Sequence, residues 1–134
     1  MRAKILNASA GSGKTYQLAY KYVRDVIDQP GLYRHILAVT FTNKATEEMK
    51  SRILKEIHRL ASGGASPYLG NLCRELSLDE RSVRKRAAEV RSKILHDYSR
   101  FTVLTIDTFF QRILRAFIKE LGIDLNYNVE IETA

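Results

Sequence analysis

Ala8-Ser9-Ala10-Gly11-Ser12-Gly13-Lys14-Thr15 follows the apolar pair Ile5-Leu6 and precedes a helical pattern, and this junction decides how the chain reads. A strand, a glycine loop and a Lys-Thr pair opening a helix make the setting that a phosphate-binding loop needs. Gly11 and Gly13 lack a Cβ, so the backbone can curl tightly and turn its N–H groups onto phosphate oxygens. The helix behind them aims the positive end of its dipole at the same anion. Lys14 offers a point charge for β- and γ-phosphates, and the Thr15 hydroxyl is placed for Mg²⁺. The pattern G-x-x-x-x-G-K-[ST] is met everywhere but at its first position, where Ala8 replaces glycine. Residues 8–15 are therefore expected to bind a nucleoside triphosphate.

Outward from this loop, strands and helices alternate. Residues 3–8 read as a first strand and Gly13–Asp28 as a helix, with Ala19, Tyr22, Val23, Val26 and Ile27 on one face and Pro30-Gly31 ending it. His35–Phe41 is a near-continuous apolar run, suiting a strand buried on both faces. A second helix starts near Lys44 with the stripe Ala45, Met49, Ile53, Ile57 and Leu60, and stops at Gly63-Gly64 and Pro67. A short helix is expected over Tyr68–Leu76. Asp79 and Glu80 then open a longer one, with Val83, Ala87, Val90, Ile94 and Tyr98 on one side. Thr102–Ile106 reads as the third strand, and Phe110, Ile113, Leu114, Phe117 and Leu121 mark a further helix with Gly122 as its stop. Asn128–Thr133 alternates as a last strand. The pattern predicts an α/β fold, a parallel sheet covered by helices on both faces. The sequence ends at Ala134 directly after that strand, and reads as cut.

Composition narrows the classes. A chain of 134 residues makes one domain, and 45% hydrophobic with 28% charged residues is an ordinary soluble balance. There is no run of eighteen apolar residues for a membrane span, and Met1–Asn7 lacks the apolar core of a signal peptide, so a cytoplasmic location is expected. Cys73 is the single cysteine, which rules out an internal disulfide and reads as a small half-buried residue. The net charge of +7 favours either a solvated basic face or a polyanionic partner, nucleic acid first. The basic run Arg81, Arg84, Lys85, Arg86 admits the same two readings.

A second signal spans residues 37–53. In a parallel α/β sheet ligands collect beyond the carboxyl ends of the strands, so Thr40, Phe41, Thr42, Asn43 and Lys44 share an edge with the glycine loop. Hydroxyls, an amide, an ammonium and a ring suit a single strand of nucleic acid, polar groups for phosphates and the ring for a base. Thr42 or Asn43 equally suits the cap of the second helix, and one role does not exclude the other. His35, His58 and His96 are far apart, with no metal-ligand spacing. Of Phe109 and Phe110, one ring is expected toward the core and one toward the ligand edge.

Ala-Ser-Ala-Gly-Ser-Gly-Lys-Thr, followed by Ala-Val-Thr-Phe-Thr-Asn-Lys-Ala-Thr-Glu-Glu-Met at 38–49, resembles the start of superfamily 1 DNA helicases of the UvrD/RecB type. Thr-Ile-Asp-Thr-Phe-Phe-Gln-Arg-Ile-Leu-Arg at 105–115 looks like their next motif, and the alanine at position 8 is common among them. The start and ending of the sequence point to the RecB/AddA-like branch. The resemblance implies that residues 1–134 are the N-terminal part of a RecA-like ATP-binding motor domain. It implies that Ala8, Ser9, Ala10, Gly11, Ser12, Gly13, Lys14 and Thr15 hold ATP, with Lys14 and Thr15 catalytic and Thr15 on Mg²⁺. It places Thr40, Phe41, Thr42, Asn43 and Lys44, then Asp107, Thr108 and Phe109, on single-stranded DNA. The implied activity is ATP-driven translocation on single-stranded DNA by a helicase or helicase-nuclease of repair and recombination. The implied partners are the remaining helicase domains and a second helicase-nuclease subunit.

Some family features have no counterpart here. No Asp-Glu pair follows a fourth apolar strand, and no second motor domain delivers arginine fingers. Seven residues precede Ala8, too few for the glutamine motif that reads adenine. A rival reading takes Val103-Leu104-Thr105-Ile106-Asp107 as an apolar strand ending in a magnesium-binding aspartate, which would make a stand-alone P-loop kinase for a nucleotide or other small molecule. Phe41-Thr42-Asn43-Lys44 argues against it, because such a kinase has no use for that exposed set.

Overall fold

The computed structural model describes residues 4–7 and 12–122, with side chains from residue 16 onward. The strand expected at 128–133 lies outside the described residues. Lys4–Asn7 (β1), Ile36–Thr40 (β2) and Thr102–Thr105 (β3) form a parallel sheet with β2 in the middle. Ser12–Asp28 (α1) follows β1; Asn43–Ser62 (α2), Leu69–Leu76 (α3) and Glu80–His96 (α4) lie between β2 and β3; Ile106–Glu120 (α5) follows β3. The strand ends are level, with Asn7 opposite Val39 and Thr40 opposite Thr105.

The expected apolar stripes meet in one core. Ala19, Tyr22, Val23, Val26 and Ile27 of α1 join Met49, Ile53, Ile57 and Leu60 of α2 and Val83, Ala87, Val90 and Ile94 of α4. Ile36 and Ala38 of β2 and Val103 of β3 complete it from the sheet. Ala45, expected on the α2 stripe, is only half-buried, and Thr46 is buried in the same turn. Cys73 is half-buried, as expected for a lone small residue. Burial pushes the Tyr22 hydroxyl far above its ordinary pKa, since a phenolate there would have no water. Glu56 is buried too, and its carboxylate is met by Arg59 at 2.8 Å and the Ser66 hydroxyl at 2.9 Å.

Several boundaries shift for local reasons. After Asp28 the chain does not simply stop at Pro30-Gly31; it winds through a 3-10 turn, Pro30–His35, so His35 precedes the strand. Thr105 caps α5 by accepting from the Thr108 N–H at 3.3 Å, which starts the helix at Ile106 and removes that residue from the strand. Tyr98 does not extend the α4 stripe. The helix ends at His96, a 3-10 turn covers Tyr98–Arg100, and the ring emerges 49% exposed. Along α5 only Ile118 is buried, while Phe110, Ile113, Phe117 and Leu121 are 51–58% exposed. The helical cover expected on both sheet faces is therefore closed over α1, α2 and α4 and open along α5, among the described residues.

Helix ends explain two sets of residues. Gly63 ends α2 in the left-handed region at φ +83, with its N–H returned to the last carbonyls. A Cβ there would meet open space, so Gly63→Ala is expected to cost about 1 kcal/mol from backbone strain alone. Urea unfolding followed by circular dichroism measures it. The basic run divides. Arg84 donates to the Leu60 and Gly64 carbonyls at 3.1 and 3.0 Å, and Arg86 to the Asp28 carbonyl at 3.0 Å. These two arginines close the C-termini of α2 and α1, so neither expected reading, solvated face or DNA contact, holds for them; Arg81 and Lys85 stay exposed. Arg84→Ala is expected to cost about 1–2 kcal/mol, by loss of charge-assisted hydrogen bonds to carbonyls that then go short of donors. The urea midpoint should fall with an unchanged slope.

Candidate functional site

Three helices begin at one edge of the sheet, where the three strands end. The glycine-loop residues Ala8, Ser9, Ala10 and Gly11 lie outside the described residues, between the end of β1 and the first residue of α1. Ser12, Gly13, Lys14 and Thr15 occupy the first turn of α1. The N–H groups of a first turn have no acceptor within their own helix, and the dipole adds positive potential there. The first turn of α1 thus offers N–H donors and positive potential to an anion.

Residues 40–44 lead from β2 into α2. Thr40 is 1% exposed, and its hydroxyl lies 2.6 Å from that of Thr46. Both hydroxyls sit within hydrogen-bonding distance of the Thr42 carbonyl, at 3.2 and 3.1 Å. The side chain of Thr40 therefore faces inward with Ile36 and Ala38, and a direct role on an external strand is corrected to one of holding the turn. Thr42 caps α2 by accepting from the Ala45 N–H at 3.0 Å, as one of its two expected roles required. Phe41, Thr42, Asn43 and Lys44 are exposed, and the Phe41 ring is 49% open to solvent. A ring held outward by a rigid turn is available for stacking at little further entropic cost.

On the neighbouring strand the pattern repeats. Asp107 and Phe109 are half-buried and Thr108 is exposed, its hydroxyl 3.0 Å from that of Thr105. Asp107 lies in the first turn of α5, where an acidic group meets the positive end of the helix. Phe110 is 58% exposed and Phe109 half-buried, so neither ring joins the core among the described residues. Because Thr40 stands opposite Thr105, the two strand-to-helix turns emerge side by side, one strand spacing apart.

Two residues beside the loop escaped sequence reasoning. Tyr16, next after Thr15, is 37% exposed and carries the Arg52 guanidinium 5.4 Å from its ring centre. Tyr68 meets it edge-on at 5.1 Å and donates its hydroxyl to the Tyr16 carbonyl at 3.0 Å. Burial pushes the Tyr68 hydroxyl up to about 12, so it remains a donor at any working pH. The position of Tyr16 directly behind Lys-Thr was the available signal; nothing in the sequence marks Arg52 as its neighbour. The histidines stay apart. His58 faces Arg91, His96 contacts the Ser92 carbonyl, and no metal-holding group of His, Cys, Asp or Glu exists among the described residues. No helix among them is long and apolar enough to cross a membrane.

Comparison with known proteins agrees with this arrangement. Residues 2–134 match the family described as UvrD/REP helicase N-terminal domain. The RecBCD enzyme subunit RecB of Escherichia coli (strain K12) is 31% identical over 127 residues, covering 89% of this chain and 11% of that protein. An ATP-dependent helicase/nuclease subunit of Lactococcus lactis subsp. cremoris (strain SK11) is 29% identical over 125 residues, covering 93% and 9%. Its namesake in Acetivibrio thermocellus is 26% identical over 134 residues, covering 98% and 9%. The chain thus spans about a tenth of the length of the curated relatives it matches. With two capped strand-to-helix turns on one sheet edge and a match running from residue 2 to residue 134, the chain belongs to the UvrD/REP helicase N-terminal domain family.

Proposed function

We propose that this chain is the ATP-binding part of an ATP-dependent DNA helicase or helicase-nuclease that moves along single-stranded DNA in repair and recombination. Residues 1–134 would then be the N-terminal part of a RecA-like motor domain. The observation that carries the reading is the level register of Asn7, Val39–Thr40 and Leu104–Thr105, which supports one edge serving both nucleotide and DNA. Residues 8–15 hold the triphosphate, with Lys14 on its outer phosphates. Thr15 would hold Mg²⁺, which when bound neutralises charge on the transferred phosphoryl group. Phe41 stacks on a base, and Thr42, Asn43 and Lys44 meet phosphates, while Thr40 and Thr46 keep the turn rigid from inside. Thr108 and the neighbouring Asp107 and Phe109 extend the path along the same strand. In the whole protein, nucleotide binding closes this domain on a second one and hydrolysis reopens it, so that the two loops advance in turn. Partner helicase domains and a second helicase-nuclease subunit belong to the same proposal.

The test is fluorescence anisotropy of a labelled oligothymidine with the 134-residue chain, with and without Mg-ATP. Saturable binding whose affinity changes with nucleotide supports a shared edge. Nucleotide binding with no binding of the oligonucleotide would overturn the shared edge.

A further inference from the structure

Two adjoining grooves of about 500 and 450 Å³ run along the 3-10 turn Pro30–His35 and the last turn of α4, sharing Tyr33, Arg34 and Lys93. His96, Asp97 and Arg100 line the far end. Arg34 lies just before β2 and Arg100 just before β3, so the grooves sit where the strands begin. That is the sheet edge opposite the two contact loops. With five residues in β2, the edges are about 17 Å apart.

We propose that this groove binds the phosphate backbone of duplex DNA, at a site separate from the single-strand edge. Arg34 and Arg100 are exposed, their side chains 49% and 63% open. Asp97, the only carboxylate lining the groove among the described residues, takes the Nε of Arg34 at 3.1 Å and stands 3.7 Å from the Nε of Arg100. It also accepts from the Tyr33 hydroxyl at 2.9 Å. Asp97 thus forms ion pairs with both guanidiniums, the Arg34 Nε also donating to the Tyr33 hydroxyl at 3.2 Å, and no hydrogen bond from their terminal nitrogens is made among the described residues. Lys93 is exposed with them and His96 lies one turn on. The balance is clearly positive, and planar guanidiniums held in a fork suit phosphate oxygens.

Shape decides between duplex and single strand. Among the described residues Tyr98 is the one well-exposed tyrosine or phenylalanine ring nearby, and it already packs edge-on against Phe101 at 5.8 Å. A single strand needs a series of rings to stack on, which the groove lacks. A duplex keeps its bases inside and presents phosphates, which fixed cations meet without reading sequence. The choice of DNA among polyanions rests on the motor reading above; the charge and shape of the groove do not.

The experiment is anisotropy of a blunt duplex and, separately, of oligothymidine with the 134-residue chain over a series of salt concentrations. Arg34→Ala/Lys93→Ala/Arg100→Ala should lower the duplex salt slope by about 2.7 and weaken duplex binding at least ~10-fold at low salt. Lys93→Ala alone, an exposed change without structural consequence, should lower the slope by about 0.9. Oligothymidine affinity should stay within about twofold, while Phe41→Ala should do the reverse, sparing the duplex. The proposal is overturned if the unmodified chain binds no duplex, if duplex affinity and slope survive the triple change, or if oligothymidine affinity falls in parallel. Displacement of the duplex by polyglutamate at equal charge would overturn it too, in favour of an acidic polypeptide. Because oligothymidine is read separately, failure of this site leaves the single-strand reading to stand or fall by itself.

Discussion

Mg-ATP should raise the melting temperature of the 134-residue chain, and Lys14→Ala should remove most of that rise. A ligand that binds only the folded state stabilises it by mass action, about 2.7 kcal/mol at a hundredfold excess over its dissociation constant. For a domain of this size that is about 10 °C. Lys14 supplies the charge nearest the outer phosphates, so its loss removes most of the attraction while the first-turn N–H groups of α1 remain. The same protein should turn ATP over barely or not at all. Residues 1–134 assayed alone carry no Asp-Glu pair after a fourth apolar strand, and the assay supplies no second motor domain to reach the nucleotide with arginine fingers. Such fingers contribute roughly 10³–10⁵ in rate in related phosphate-loop systems. A thermal titration beside a phosphate-release assay checks both halves. DNA-stimulated turnover near ~10 s⁻¹, an ordinary enzyme value, would contradict the account.

Phe41→Ala and Lys44→Ala should both weaken oligothymidine binding, in ways that salt separates. A base stacked on the exposed Phe41 ring is worth roughly 1–3 kcal/mol and depends little on ionic strength. Phe41→Ala should therefore lower affinity by up to ~100-fold and leave the salt slope nearly unchanged. Lys44 acts by releasing a counterion from one phosphate, so Lys44→Ala should lower the slope by about 0.7. Both side chains project from the turn that Thr40 and Thr46 fix from inside. Wild-type binding by both variants, with nucleotide binding intact, would reduce residues 40–44 to a helix cap.

Much of the fold is legible in the residues themselves. Gly11, Gly13, Lys14 and Thr15 impose a strand-to-helix junction, and α1 indeed opens at Ser12 after β1. The stripes of α1, α2 and α4 meet in the core because three- and four-residue spacing fixes a helix face regardless of partner. Thr40 shows what a motif hides. Treated as one of five contact residues it seems external, yet strand alternation sets it on the face of Ile36 and Ala38, which is buried. Arg84 and Arg86 look like surface charge because a sequence shows the donor and not the carbonyls, which belong to residues 20 to 59 positions away. Tyr98 obeys the helical spacing of its predecessors until the helix itself ends at His96. Periodicity identifies α5 as amphipathic, but it says nothing about whether an apolar stripe finds a cover, and the stripe Phe110, Ile113, Phe117 and Leu121 stays open among the described residues. The Tyr16–Arg52 contact is beyond reach for a similar reason, since it depends on how α2 crosses α1.

The claim that one sheet edge takes both ligands is tested most directly by mapping backbone amide chemical shifts of the isotopically labelled chain. Mg-ATP is added first and oligothymidine second. The account predicts that nucleotide moves the amides of residues 11–16, and that the oligonucleotide moves those of 40–44 and 107–109 while Arg34, Lys93 and Arg100 stay still. Oligothymidine shifts confined to the Arg34–Arg100 end of the sheet, or nucleotide shifts that leave residues 11–16 untouched, would contradict it.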